Sequence, residues 1–477
     1  MTINLEPVAQ AGAPLAPGSV TVHKFGGTSV GGPSQFAQVR DIVKRLLLAN
    51  KEKPALVLSA MSGTTNRLYA SIHAAVEGLG FDKPLYEIWE GHLSCISKLH
   101  EDDLLSKEAL DALQAVITDD LKGISKNLTH ITAAKHCPEL MSDVIAGYGE
   151  LWSNQILAAL LTCSGVSSTW INARDFLYLS RLSGKDVRVD WKRSHAPIMP
   201  AGVEVAVITG FLATSAGGVP TTLKRNGSDH SGAIVANLVD AEMLTIWTDV
   251  DGIYSADPRV VKEAVMIPTM SYKETAELAY FGAKVIHPQT LAPCVGKKIP
   301  VVLRNTFNLS CAGTLISATP DNEARAVTII PEVALMNVEG SGLFGFSGIA
   351  AKLFSAVAGA ESNVIMITQA SSEYSICFAV PVGDAEICAD AVRLTFAEEI
   401  EEHSIDVSVD TSAAIVAAVG EGMNRQLGML GKLATALGQA GVNIRALAQG
   451  SSERNITFVV NKEDGGKALS SLHRALI

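Results

Sequence analysis

The hexapeptide KFGGTS, residues 24–29, combines a cation, two glycines and two hydroxyl groups. The run 20–25 predicts a buried strand, and residues 34–48 have helical spacing. Backbone N–H groups at glycines beside a helix N-terminus bind anions such as phosphate. We therefore interpret the hexapeptide as a candidate anion cradle. The lysine precedes the glycines, so the pattern is not a Walker A loop, and an ordinary strand-to-helix turn remains the alternative.

A second group of chemically active residues is TTLKRNGSD at 221–229. Arg225 suits bidentate binding of a carboxylate, and the turn at Ser228 offers N–H donors. Asp229, near a predicted helix start, could orient an ammonium group or a metal-bound water. Alternatively, Ser228 or Asp229 is only a helix N-cap, which leaves Lys224 and Arg225 unexplained.

Three further segments carry polar residues near predicted strand or helix ends. The stretch WTDVDGIYSADPR at 247–259 combines acids, a tyrosine and an arginine, which suits a nucleotide at the carboxyl edge of a parallel sheet. FGAKV at 281–285 places Lys284 after a glycine. In GYGE at 147–150, a helical pattern by itself predicts that Glu150 lies on the solvent-facing side.

Composition excludes several classes of function. Lys and Arg number 38 against 49 Asp and Glu, so the net charge of −11 gives no general attraction to nucleic acid or an anionic membrane. No apolar run approaches the roughly 20 residues that span a bilayer. The seven cysteines are scattered, which favours reduced thiols and a cytoplasmic location. Residues 1–19 predict a flexible N-terminal extension without the features of a secretory signal.

The order of elements predicts the fold class. Strand, glycine turn, helix and the strand at 55–59 form a βαβ opening, and later strand patterns occur at 205–208, 244–247 and 301–303. This order predicts an α/β domain over residues 20–322, with a mostly parallel sheet sandwiched by helices.

The last third of the chain contains an internal duplication. One constant offset, without gaps, aligns glycines, a Lys-Leu pair, an asparagine and a Gln-x-Ser-Ser-Glu string; the aligned pairs include Gly340 and Gly420, Lys352 and Lys432, Asn363 and Asn443, and Gln369 and Gln449. Each copy reads as the βαββαβ pattern of an α+β, ferredoxin-like module. We predict one module over 332–405 and a second over 412–477, whose sheet is completed by 323–331.

Taken together, these motifs resemble those of aspartate kinases, members of the amino-acid-kinase superfamily, over nearly everything after residue 20. KFGGTS, GYGE, TTLKRNGSD, WTDVDGIYSADPR and FGAKV occur in the family's order. The duplicated module is similar to the paired ACT domains of these enzymes, and its ITQASSEYSI and AQGSSERNI strings look most like the kinase half of bifunctional aspartokinase–homoserine dehydrogenases. No dehydrogenase segment follows, so we expect either a monofunctional enzyme or the kinase part of a longer one.

The resemblance implies phosphorylation of L-aspartate by ATP, the entry step to lysine, threonine and methionine, and it assigns roles to residues. Residues expected to bind ATP are Lys24, Gly26, Gly27, Ser29, Thr248, Asp249, Tyr254, Arg259, Lys284 and Val285. Residues expected to bind aspartate are Thr65, Glu150, Arg225 and Ser228. Within this set, Glu150 would face the substrate ammonium and Arg225 its α-carboxylate. Lys24, Lys284 and Asp229 would be catalytic.

Cofactor, effector and partners follow from the same resemblance. Mg²⁺ is expected on the phosphate oxygens, and we assign it no protein ligand. Gln369, Gln449, Asn363 and Asn443 are expected to bind an amino-acid effector, threonine with lysine as the rival. The ACT domains are expected to form a homo-oligomer, and a purely structural role for them is the alternative. A non-catalytic regulator built on a kinase fold is the alternative to the enzyme.

Overall fold

The computed structural model describes residues 13–14, 20–49, 53–181, 187–224, 227–283, 286–319, 325–341, 348–369, 375–450 and 454–477. The chain divides into two compact units. The first comprises the described residues of Met1–Ile253 and His287–Thr319. The second comprises those of Tyr254–Ile286 and Pro320–Ile477.

The strands, in chain order, are β1 (Ala13–Pro14), β2 (Val20–Phe25), β3 (Lys53–Leu58), β4 (Ser168–Ile171), β5 (Tyr178–Arg181), β6 (Val187–Val189), β7 (Ile198–Met199), β8 (Val205–Thr209), β9 (Leu212–Ser215), β10 (Pro220–Thr222), β11 (Met243–Thr248), β12 (Thr269–Ser271), β13 (Val301–Asn305), β14 (Thr314–Ser317), β15 (Ala326–Glu339), β16 (Met366–Gln369), β17 (Ser375–Pro381), β18 (Asp406–Val419), β19 (Ala446–Gln449) and β20 (Asn455–Asn461).

The α-helices are α1 (Pro33–Ala49), α2 (Thr64–Glu77), α3 (Asp82–Glu101), α4 (Lys107–Ala134), α5 (Glu139–Ala146), α6 (Tyr148–Cys163), α7 (Gly227–Leu238), α8 (Tyr272–Tyr280), α9 (Pro288–Lys297), α10 (Ile349–Gly359), α11 (Ala385–Thr395), α12 (Ala397–Glu401), α13 (Met429–Gln439) and α14 (Gly465–Leu476). Short 3₁₀ turns lie at Gly27–Val30, Ala173–Asp175, Val382–Asp384, Glu421–Arg425 and Lys462–Asp464.

Seven strands of the first unit lie side by side in the order β14-β13-β11-β2-β3-β8-β4. All neighbours run parallel except β13 and β14, which confirms the predicted mostly parallel α/β sheet. Strand β2 is central, between β11 and β3, and each of its residues is buried, as expected for a parallel strand covered on both faces. A smaller sheet has the order β10-β9-β5-β6, and β1 pairs with β7.

The helices of the first unit bury their apolar faces in one large core. Helix α4 places Leu113, Ile117, Leu121, Ile124 and Leu128 on a single buried face at helical spacing. Helix α6 differs, because its side chains from Gly149 to Leu161 are buried almost without interruption, apart from the half-buried Leu151. The expectation that Glu150 lies on a solvent-facing side of an amphipathic helix is therefore wrong: Glu150 is 3% exposed.

The duplication is visible in the elements of the second unit. Helices α10 and α13, strands β16 and β19, and strands β17 and β20 each begin at residues that the constant offset of the two sequence copies pairs with one another. Six antiparallel strands form one sheet in the order β16-β17-β15-β18-β20-β19. Residues 326–330 of β15 pair with 415–419 of β18, so the first part of β15 joins the second copy. Each copy has its own apolar core.

The segment 254–286 packs in the second unit, although the sequence places it inside the predicted domain 20–322. The buried Ser255 hydroxyl contacts His473 Nε2 at 2.9 Å, and Thr328 donates to the carbonyl of Phe281 at 3.2 Å. Glu274 is completely buried, and its Oε1 accepts the backbone N–H of Glu421. These long-range contacts explain why the segment groups with the C-terminal modules, an arrangement that its local sequence does not predict.

Candidate active site

Strand β2 carries Lys24 to the carboxyl edge of the parallel sheet. Lys24 lies between Ile246 of β11 and Val57 of β3 and is only 6% exposed. The chain then turns through Gly26 into the 3₁₀ turn Gly27–Val30. A Cβ atom on Gly27 would lie 3.1 Å from the carbonyl oxygen of Ala60, so the close approach of these two segments favours glycine. A cation and a glycine turn therefore meet at the sheet edge.

Helix α7 brings an acid directly onto Lys24. Asp229 lies in the first turn of α7, and its carboxylate forms an ion pair with the Lys24 ammonium. A negative charge is favourable at a helix N-terminus. Gly232 allows the close packing behind this pair, because a Cβ atom there would lie 3.0 Å from Lys24 Cβ. The predicted phosphate and substrate motifs thus meet in space.

Glu150 places a second carboxylate at this site, in the first turn of α6. Burial raises its pKa to about 8, and this effect outweighs backbone hydrogen bonding at Ala60 and the charges of Arg174 and Lys24. Its Oε2 is buried and accepts no hydrogen bond from the described residues. A buried carboxylate with an unused acceptor is suited to a cationic group of a ligand.

Arg174 is a neighbouring charge that sequence reasoning did not select. Its Nε and Nη2 atoms are buried and have no hydrogen-bond acceptor in the part of the chain that the structure describes. Gly147 makes room for this guanidinium group, since a Cβ atom there would lie 2.6 Å from Arg174 Nη2. The positive charge of Arg174 favours the ionised form of Glu150.

One cavity of about 1160 Å³ in the first unit is lined by Lys24, Asp229 and Glu150. Its lining contains the predicted site residues Lys24, Gly27, Thr65, Glu150, Ser228 and Asp229. It also contains residues that the sequence did not single out, among them Tyr69, Glu139, His230, His287 and Thr290. The site thus combines both signs of charge with hydroxyl groups in a space large enough for a small charged ligand.

Lys224 forms a charged cluster in the cavity wall. Its ammonium lies 2.8 Å from both carboxylate oxygens of Asp143 and 2.9 Å from Glu139 Oε1. Thr221 and Thr222 donate hydrogen bonds to Asp143, which is 2% exposed. Burial lowers the pKa of Lys224, but the hydrogen bonds to Asp143 and Glu139 outweigh burial and raise it. Asp143 and Glu139 lie far from Lys224 in the chain, and only the unexplained Lys224 signalled this cluster.

Other predicted site residues have different environments. Ser29 is fully buried, and its hydroxyl lies 2.7 Å from the Thr306 hydroxyl. Gly26 donates its N–H to the carbonyl of Trp247, and Thr248 and Asp249 follow at the end of β11, on the same sheet edge.

Tyr254 and Arg259 belong to the second unit. In that unit Tyr254 forms a β-bridge with Met266, and Arg259 is an exposed partner of Asp257. Arg225, Lys284 and Val285 lie outside the described residues.

The four predicted effector residues lie at equivalent places in the two copies. Gln369 ends β16 and Gln449 ends β19, and both side chains are exposed. Asn363 and Asn443 are exposed in the turns that follow α10 and α13. Strands β16 and β19, which carry the glutamines, form the two opposite edges of the sheet. They nevertheless contact each other, and Met366 of β16 and Ala446 of β19 pack with the same apolar cluster.

Membrane-spanning helices and metal-ligand clusters are both absent from the described part of the chain. None of the helices in the described ranges combines the length and apolarity needed to cross a membrane. No group of three or more His, Cys, Asp and Glu side chains in those ranges has the arrangement of a metal site.

Comparisons with known proteins agree with this architecture. The family model described as "Amino acid kinase family" matches residues 19–305, and the "ACT domain" model matches 336–396 and 416–476. The chain is 40% identical over 474 residues to the chloroplastic bifunctional aspartokinase/homoserine dehydrogenase 1 of Arabidopsis thaliana, covering 95% of this chain and 51% of that protein. It is 36% identical to the bifunctional aspartokinase/homoserine dehydrogenase of Haemophilus influenzae, covering 95% of this chain and 56% of that protein. The chain therefore spans about half the length of these relatives.

Among solved structures, aspartokinase III of E. coli in complex with aspartate and ADP aligns with a TM-score of 0.76 at 26% identity, covering 96% of this chain and 99% of that one. The mostly parallel sheet with a cation at its carboxyl edge, followed by a duplicated ferredoxin-like module, defines an α/β protein with paired ACT domains. The chain belongs to the amino acid kinase family, as its motifs predicted.

Proposed function

We propose that this protein is an aspartate kinase that transfers the γ-phosphoryl group of ATP to the β-carboxylate of L-aspartate, giving 4-phospho-L-aspartate and ADP. The observation that carries the proposal is the convergence of Lys24, Asp229 and Glu150 on one cavity. Further support comes from aspartokinase III, whose structure holds aspartate and ADP. The reaction would be the first step of lysine, threonine and methionine biosynthesis.

The cationic and anionic residues of the cavity are proposed to have different roles. A β-carboxylate is already ionised at neutral pH, so the nucleophile needs no general base. The difficulty is to bring one anion up to a polyanion and to stabilise the charge that spreads over the transferring phosphoryl group. Lys24 supplies a fixed cation at the sheet edge, and Lys284 is proposed as a second. The ionised form of Glu150 would bind the substrate ammonium, and Arg225 its α-carboxylate.

The remaining predicted contacts complete the two binding sites. Thr65 and Ser228 line the cavity and are proposed to bind aspartate through hydroxyl or backbone groups. The glycine turn at Gly26 and Gly27 is proposed to approach the phosphates. Ser29 is proposed to stabilise this turn through its contact with the Thr306 hydroxyl. The remaining proposed nucleotide contacts are Thr248, Asp249, Tyr254, Arg259 and Val285.

The site residues are compatible with Mg²⁺ bound through the nucleotide. Mg²⁺ keeps several waters and commonly binds through substrate phosphates and one or two carboxylates. Asp229 faces the cavity with a carboxylate that can accept hydrogen bonds from metal-bound water. Bound in this way, the ion would neutralise phosphate charge, while Asp229 would orient it and hold Lys24.

The ACT domains are proposed to bind an inhibitory amino acid and to join copies of the chain into a homo-oligomer in the cytoplasm. We propose threonine as the effector, at a site that includes Gln369, Gln449, Asn363 and Asn443. Lysine is the rival, because a structure of E. coli aspartokinase III that aligns with a TM-score of 0.73 and 26% identity contains lysine and aspartate.

The experiment that tests the activity is an ADP-release assay with ATP and Mg²⁺ across aspartate, glutamate and carbamate. We expect release that depends on aspartate and saturates with it. Release with glutamate or carbamate alone would indicate another member of the family. Binding of ATP or aspartate without ADP release would instead support a non-catalytic regulator.

A further inference from the structure

Lys224 adopts a backbone conformation that is unfavourable for residues other than glycine. Its φ angle is +61°, in the left-handed region where a Cβ atom crowds the backbone. Glycine would adopt this conformation without the penalty. Such an outlier beside a ligand cavity points from strain to function. The side chain of Lys224 also lines the cavity, so its contacts there are the place to look for a function.

The two carboxylates that hold Lys224 differ in how firmly they are fixed. The Asp143 side chain is 3% exposed, and it accepts hydrogen bonds from the Thr221 and Thr222 hydroxyls as well as from Lys224. The Glu139 side chain is 46% exposed, and its Oε1 lies 2.9 Å from Lys224 Nζ. Asp143 is thus the more firmly held partner of Lys224. The Lys224–Glu139 pair is partly open to solvent, with side-chain exposures of 28% and 46%, and an ion pair near solvent contributes little free energy.

The cluster carries a charge that opposes an anionic ligand. Among its described side chains, one ammonium faces two carboxylates, in the wall of a cavity proposed to receive an acidic amino acid. Displacing Glu139 into solvent would reduce this repulsion and free one N–H donor of Lys224. The ammonium has three donors, and Asp143 needs two of them.

We propose that Lys224 binds a carboxylate of the acidic substrate with the donor that Glu139 engages in this structure. Glu139 is then an internal competitor that stands where a substrate carboxylate binds. This inference rests on the proposed function. It adds a binding residue outside the predicted set and predicts that removing an ion pair improves substrate binding.

The decisive variant is Glu139→Gln, because competition with substrate and structural support of the wall predict different changes in the KM for aspartate. If Glu139 competes with substrate, the KM for aspartate falls by about 2- to 5-fold, the strength of an exposed ion pair, with kcat and the KM for ATP little changed. If Glu139 only supports the fold of the wall, the KM for aspartate stays the same or rises, and either result overturns the proposal.

A matched control tests charge removal as such. Lys98 on α3 also pairs with two acids, Glu101 and Asp102, and none of these residues lines the cavity. Glu101→Gln therefore removes the same kind of partner from the same kind of cluster. We expect no change in the KM for aspartate, and a fall equal to that of Glu139→Gln would overturn the proposal.

Lys224→Gly tests the donor itself while relieving the left-handed backbone. The KM for aspartate should rise by about 10- to 100-fold, the loss of a hydrogen bond to a charged group, while the KM for ATP changes little. Thermal unfolding of the variant shows whether it is folded; if it is not, Glu139→Gln decides alone. An unaltered chain that releases no ADP with aspartate would overturn the proposed function and this inference together. Normal activity with an unchanged KM in Glu139→Gln overturns only the inference.

Discussion

Lys24 and Asp229 form an ion pair at the carboxyl edge of the central sheet, although one lies near the end of β2 and the other in the first turn of α7, far apart in the chain. The lysine side chain is 7% exposed and the aspartate side chain 29%. The pair fixes the direction of a nearly buried ammonium group. A fixed cation needs little reorganisation when charge develops on a transferring phosphoryl group.

Replacing Lys24 should therefore greatly reduce turnover while preserving the fold. Lys24→Met keeps most of the aliphatic packing, and we expect kcat to fall by about 10³-fold, the range for losing a fixed electrostatic group. Lys53→Met is the matched control, since Lys53 is exposed at the opposite end of the neighbouring strand β3. Steady-state ADP release measures both variants. Near-normal turnover in folded Lys24→Met would contradict a role for the anion cradle at 24–29 in the reaction.

Glu150 should make aspartate binding depend on pH. Burial raises its pKa to about 8, so the carboxyl group of the free protein is largely neutral at pH 7. Binding the substrate ammonium requires the ionised form, so kcat/KM for aspartate should rise from pH 6.5 to 8.5. Glu150→Gln should show a low and flat profile. An unaltered chain with a flat profile over this range would contradict the assigned role.

The same group should affect stability with a defined sign. Because the folded pKa of Glu150 lies above its ordinary value, the folded protein holds this proton more tightly than the unfolded chain does. Its stabilising contribution is complete below pH 4.5 and is lost as pH rises through about 8. Glutamine does not titrate, so Glu150→Gln lacks this pH-dependent loss of stability. The Tm of the variant should therefore fall less than the Tm of the unaltered chain between pH 6 and pH 9. Parallel thermal melts check this; equal losses of Tm would be inconsistent with a buried neutral Glu150.

Glu274 should be important for the stability of the second unit. Its Oε2 accepts the N–H of Ser271 at 2.8 Å in a capping box, and its Oε1 accepts the N–H of Glu421 at 2.9 Å. Glu274→Ala leaves buried donors unsatisfied and should lower the free energy of unfolding by about 2–3 kcal/mol. Glu386→Ala, at an exposed first-turn acid of α11, is the control and should change it by less than about 0.5 kcal/mol. Chemical denaturation measures both, and equal effects would refute the bridging role.

Much of the fold and part of the site follow from local sequence. The strand at 20–25 and the helix near 34–48 occur as their periodicity indicates, because apolar spacing of 2 or 3.6 residues is a local property. The glycine turn after Lys24 is also local, since close backbone approach selects for glycine. The duplication needed only a comparison of the chain with itself.

Other features depend on contacts between distant segments, which local sequence does not indicate. The burial of Glu150 follows from α6 being enclosed by neighbours, which its own sequence does not state. Asp143 and Lys224 meet only because α5 packs against β10. The segment 254–286 joins the C-terminal modules through pairs such as Ser255 and His473, whose residue types carry no signal of their partner.

Effector titration separates the two proposed amino acids. We expect threonine to inhibit the unaltered chain, and Gln449→Ala to raise the half-inhibitory concentration by about 10-fold, the loss of roughly one hydrogen bond. Gln439→Ala, at an exposed position of α13, is the control. Inhibition by lysine alone would reverse the choice of effector. Insensitivity to both would favour a structural role for the ACT domains.

The most direct test of the central claim is to trap the product. An acyl phosphate reacts with hydroxylamine to give a hydroxamate, so the unaltered chain with ATP, Mg²⁺ and aspartate should form hydroxamate in equal amount to ADP. Lys24→Met should form both about 10³-fold more slowly. ADP released without hydroxamate, or hydroxamate formed at a normal rate by folded Lys24→Met, would contradict a cavity in which Lys24, Asp229 and Glu150 bring a carboxylate to the γ-phosphate.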